Sequence, residues 1–65
     1  MSQRSESPRL PEARRKEIFA ALVTAQDLQL SVAESRRMVC AQFGISPSQV
    51  LEIEREGLDG GWPPF

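Results

Sequence analysis

Arg36-Arg-Met-Val-Cys-Ala-Gln-Phe-Gly-Ile-Ser-Pro-Ser-Gln-Val-Leu-Glu-Ile-Glu-Arg55 is the stretch on which the fold turns. Two amphipathic segments flank Phe43-Gly44-Ile45, and the intervals on either side of the glycine match those a helix-turn-helix needs. The leading helix must send an apolar and then a small residue toward its neighbour, and Val39 and Cys40 do so. It must end on an apolar residue and a glycine so that the chain can reverse sharply, which Phe43 and Gly44 supply. Ile45 fills the turn, and Val50 and Ile53, three residues apart, face inward from the trailing helix. A plain three-helix bundle with a short glycine turn shares part of this pattern, and the spacing around Gly44 favours the helix-turn-helix.

The boundaries can be read from capping chemistry. Ser31-Val-Ala-Glu34 and Ser46-Pro-Ser-Gln49 are both capping boxes: the serine accepts from the third helical N–H while the glutamate or glutamine accepts from the serine N–H. They predict one helix from Val32 to Phe43, ended by Gly44, and another from Pro47 that reaches Glu56 and stops at Gly57 or a little later. Ile45 and Val50 are placed to staple the entry to that helix. Upstream, Pro11 suits a first helical position, and Ile18, Phe19, Leu22 and Val23 recur at helical spacing. They predict a first helix to about Gln26 or Asp27. The expected organisation is a flexible arm over 1–10, an all-α three-helix bundle containing the helix-turn-helix over 11–58, and a non-helical Trp-Pro-Pro-Phe tail over 59–65.

Size and composition exclude several classes of function. A chain of 65 residues makes one domain, and at that size folding hides only about 60% of the unfolded surface. One cysteine cannot form an internal disulfide, and without histidine there is no ordinary metal-ligand set. Cys40 lacks a histidine to activate it, so it reads as a small core residue in a reducing compartment. Glu52, Glu54 and Glu56 have no cleft in which to act as acid–base partners, with Glu54 placed to bond within the fold. No enzyme, cofactor or metal is expected. No apolar run approaches a membrane span and no secretory signal opens the chain, so a cytoplasmic location is expected.

The stretch Phe43-Gly-Ile-Ser-Pro-Ser-Gln-Val-Leu-Glu-Ile-Glu-Arg-Glu-Gly-Leu58 resembles the C-terminal helix-turn-helix of primary bacterial sigma factors, the region that reads the promoter −35 element. Phe43, Ile45, Ser46, Val50, Ile53, Glu54 and Leu58 fall on that family's positions without a gap. The resemblance implies a small bacterial DNA-binding or transcription-associated regulator, with double-stranded DNA or the transcription machinery as partner. On that reading Ser48, Gln49, Glu52 and Arg55 face the major groove, while Arg36, Arg37, Arg14, Arg15 and Lys16 hold phosphate. Where the family presents arginine, glutamate, arginine and glutamine to DNA, this chain has Pro47, Ser48, Leu51 and Glu52. Proline and leucine cannot bond to a base edge, and Glu52 and Glu56 repel phosphate.

Charge is divided along the chain. Arg4, Arg9, Arg14, Arg15 and Lys16 outweigh Glu6 and Glu12 at the front, whereas Glu52, Glu54, Glu56 and Asp59 outweigh Arg55 at the rear. The front cations either clamp a DNA backbone or form a solvated face, and Arg36 either contacts phosphate or lies over the core. The alternative function is a protein–protein interaction module, with an unidentified partner held by the acidic third helix and the aromatic residues Trp62 and Phe65. Trp62 has a second option, folding back to enlarge the small core.

Overall fold

In the computed structural model, residues 10–64 are described, and they form three helices with no strand among them. The helices are α1 (Glu12–Asp27), α2 (Val32–Phe43) and α3 (Pro47–Gly60), and each packs on the other two. The expected all-helical fold is observed. The arm's Arg4 and Arg9 and the terminal Phe65 lie outside the described residues.

Both capping boxes form. Ser31 Oγ accepts from Glu34 N–H at 3.0 Å while Glu34 Oε1 accepts from Ser31 N–H at 3.1 Å. The Ser46–Gln49 pair does the same at 3.2 and 2.9 Å. Each box satisfies N–H groups that a helix start leaves without a partner. Pro11 sits one residue earlier than expected, at the cap position with ψ 151°, and Glu12 opens the helix. No glycine closes α1. Gln29 takes the left-handed conformation there, with φ 69°, which costs a side-chain-bearing residue more than it costs glycine.

The other two helices end alike. Gly44 and Gly61 both adopt left-handed geometry, and the residue after each donates its N–H five residues back. Ile45 N–H bonds to Cys40 O at 3.1 Å, and Trp62 N–H to Gly57 O at 3.0 Å. This double closure throws an apolar side chain back across the helix end, and both Ile45 and Trp62 pack against the core. α3 therefore runs past Gly57 to Gly60, whereas the sequence places its stop at Gly57 or a little later.

The core is Ile18, Phe19, Leu22 and Val23 of α1 with Val39, Val50 and Ile53. Ser35 is also fully buried between the helices. Its hydroxyl donates to Ser31 O at 2.8 Å, so a small polar residue is accommodated there without an unsatisfied group. Gly57 lies against the Phe19 ring: a Cβ built on it would fall 2.6 Å from Phe19 Cγ and closer still to the ring edge. Hydrogen at this position lets α1 and α3 approach, which explains a glycine inside a helix despite its poor helix propensity. No helix among the described residues is long and apolar enough to cross a membrane.

Candidate interaction surface on α3

Most of the cations read as phosphate contacts have partners within the chain. Arg15 reaches 41 residues ahead and forms a two-pronged pair with Glu56, Nε to Oε1 at 2.9 Å and Nη2 to Oε2 at 3.0 Å. It also donates to Leu10 O. The side chains of Arg15 and Glu56 are 16% and 32% exposed, so this pair is screened less than one at the surface. Arg36 crosses to α3 and bonds Glu54 Oε1 through Nε at 3.1 Å and Nη2 at 2.8 Å. Lys16 pairs with Glu12 at 3.0 Å and Arg14 with Glu17 at 3.0 Å, both one turn apart on α1.

Those cations also cover aromatic rings. Arg14 lies over Phe43 at 4.9 Å from the ring centroid. Arg15 and Lys16 approach the face of Trp62 at 6.0 and 5.8 Å. Trp62 in turn meets Phe19 edge-on, with centroids 6.1 Å apart and planes at 85°, an arrangement favoured by the ring quadrupoles. The basic triplet of α1 thus fastens Trp62 and Phe43 against the helices. Among the described residues, Arg37 and Arg55 are exposed cations without an ion pair.

On α3, the residues expected to meet a base edge share the outward side. Ser48, Glu52 and Arg55 are exposed there. Gln49 is half-buried, with its carbonyl oxygen used by the cap. Leu51 and Leu58, two turns apart, are 48% and 58% exposed on the same helix. Neither belongs to the buried core.

The last turns of α3 and Trp62 border an open groove of about 980 Å3. Leu51 and Trp62 supply its apolar lining, and Glu52, Glu56 and Asp59 come to it from α3. Glu12 closes the α1 side, and Arg55 is the single cation. Arg15 and Lys16 offset Glu56 and Glu12, so Glu52 and Asp59 are the carboxylates open to an external partner. The helix end adds to their field. α3 has no basic residue in its last turn, so the partial negative charge of its terminal carbonyls is not countered there.

Among the described residues, two carboxyls are held below their usual range. The Ser31 N–H bonded to Glu34, with the serine hydroxyl beside it, holds that carboxyl below its usual range. The ammonium of Lys16 does the same for Glu12 by hydrogen bonding and by charge. Glu34 caps α2 and Glu12 borders the open groove, and no group of three or more metal-ligating side chains comes together among the described residues.

The sequence assigns Leu51, Glu52 and Arg55 to the outward side of the third helix and Trp62 to the tail, whereas the structure brings all four together with Asp59 and Gly60 on one groove. The signal for it was present in Gly61-Trp62, which repeats the Gly44-Ile45 closure. Comparison with known proteins adds nothing to this geometry: no protein-family model, curated protein or solved structure matches the chain.

Proposed function

We propose that this chain is a small helix-turn-helix module that docks on a partner protein through the outward face of α3. The observation that carries this reading is the division of charge between pairs and surface. Arg14, Arg15, Lys16 and Arg36 are engaged by carboxylates of the same chain. Leu51, Leu58, Glu52 and Asp59 stand exposed on the face that would enter a DNA groove. Non-specific DNA affinity comes from cations that neutralise phosphate. A helix bearing two open carboxylates, two leucines and one arginine is poorly matched to that task. It suits a protein surface, where apolar contacts give affinity and charges give orientation.

DNA binding within transcription remains the second reading. It is favoured by Arg37 and Arg55, which have no ion pair among the described residues, and by Ser48 exposed in the first turn of α3. Titration of labelled protein with mixed-sequence duplex DNA at ~50 mM and again at ~200 mM salt separates the two. The protein-docking reading expects no saturable binding at either salt. Micromolar or tighter binding that weakens steeply with salt, and is flattened by Arg37→Ala and Arg55→Ala, would replace it with the DNA reading.

A further inference from the structure

We infer that the groove between the last turns of α3 and Trp62 receives a basic amphipathic helix of a partner protein. This rests on the protein-docking reading and specifies the chemistry of the occupant. The groove's lining combines the apolar Leu51 and Trp62 with open carboxylates at Glu52 and Asp59 and one cation, Arg55, while Arg15 and Lys16 over the Trp62 ring are offset by Glu56 and Glu12. The carbonyl end of α3, which has no basic residue in its last turn, adds partial negative charge beside them. Asp59 is misplaced for stability, because a carboxylate in the last turn opposes the helix dipole. A cation arriving from outside would relieve that opposition.

The backbone of the occupant follows from what the groove lacks. No strand edge is present among the described residues, so an extended segment would find no ladder of hydrogen-bonding groups to join. A helix arrives with its backbone groups already paired. From Leu51 to Gly60 the face runs roughly 14 Å along α3, at about 1.5 Å per residue, which spans two to three turns of a second helix. An apolar side chain of that helix rests on Leu51 and Trp62, and lysine or arginine about one turn to either side meets Glu52 and Asp59.

Trp62 is the single tryptophan and serves as the reporter. The whole chain is titrated with a synthetic lysine–leucine amphipathic peptide of about four helical turns. A scrambled peptide of the same composition, a glutamate–leucine counterpart and mixed duplex DNA are the comparison ligands. The expected result is a saturable Trp62 fluorescence change with the basic helical peptide, and at least about tenfold weaker binding of the scrambled one. E52K/D59K should weaken the basic peptide by about tenfold or more, whereas E17K/D27K, with the same change in net charge on α1, should cost less than about threefold. Equal losses in the two double variants, or equal binding of the scrambled peptide, would reduce the effect to long-range attraction and overturn the inference. Binding of the glutamate–leucine peptide in preference to the basic one would overturn the occupant's charge while leaving protein docking in place. Binding of the duplex with none of the peptides would overturn both. Self-association that fills the groove with a second copy of this chain, read by sedimentation, would also overturn it.

Discussion

Gly57→Ala is the sharpest probe of how α1 and α3 are held together. In an exposed helix interior, replacing glycine by alanine stabilises by about 0.8–1.0 kcal/mol. Here the added methyl would lie 2.6 Å from Phe19 Cγ and nearer to two other ring carbons. Carbon atoms prefer a separation of about 3.5–4.0 Å, so the ring or the helix must move by roughly an ångström. Phe19 is 1% exposed and packed edge-on against Trp62, which leaves the ring no empty space. Overpacking of this kind costs about 1–3 kcal/mol. With the propensity gain subtracted, the steric cost at its upper end leaves a net loss of about 1–2 kcal/mol. For a chain of this size, that lowers Tm by roughly 5–15 °C. Gly60→Ala is the matched control, since its Cβ would meet only the half-buried Trp62, at 3.1 Å from Nε1. It should be close to neutral. Urea unfolding followed by helical circular dichroism gives both values. A Gly57→Ala variant as stable as the parent or more so would refute the packing of α3 on Phe19.

Three further outcomes follow from the same contacts. Glu56→Gln keeps the shape but removes the charge that Arg15 faces in a partly buried pair. It should cost about 1–2 kcal/mol in urea unfolding, a value discounted from a fully buried pair for the remaining exposure. Glu34 is held below the usual carboxylate range, so its cap contributes stability above the unfolded value near 4.5 and loses it as pH falls through the depressed folded value. Amide exchange should therefore show the start of α2 loosening in acid before that of α3, whose Gln49 does not titrate, and Glu34→Gln should abolish the difference. Asp59→Lys removes a carboxylate from the last turn of α3 and supplies a cation. It should stabilise the fold by about 0.5–1 kcal/mol while weakening the basic peptide, an opposition of signs measured by thermal unfolding and fluorescence titration.

Helices α2 and α3 were legible because local chemistry marks where they begin. Ser31-Glu34 and Ser46-Gln49 state where α2 and α3 begin, and Gly44 states where α2 stops. The end of α3 was harder because Gly57, Gly60 and Gly61 compete as terminators, and only the tertiary contact with Phe19 explains why the first is helical. The burial of Ser35 likewise depends on neighbours rather than on propensity.

The candidate surface was only half legible. Glu52, Arg55 and Trp62 could be picked out from residue type, but the sequence leaves the state of the cations open. Arg15 and Glu56 are 41 residues apart, and nothing local indicates that one neutralises the other. Arg36 and Glu54 meet across the turn in the same way, so few basic side chains among the described residues stay open to a partner along α3. Pairing of charges distant in sequence is a property of the packed helices, and it changes the chemistry that the surface offers.

On the proposed function, the outward face of α3 contacts protein rather than nucleic acid. Backbone amide shifts of isotopically labelled protein test it most directly, recorded during separate titrations with the lysine–leucine helix and with mixed duplex DNA at ~50 mM salt. Saturable shifts clustered from Leu51 to Trp62 are expected with the peptide, and none beyond background with the duplex. Saturable, salt-sensitive shifts at Arg37, Ser48 and Arg55 with the duplex, without any from the peptide, would contradict it.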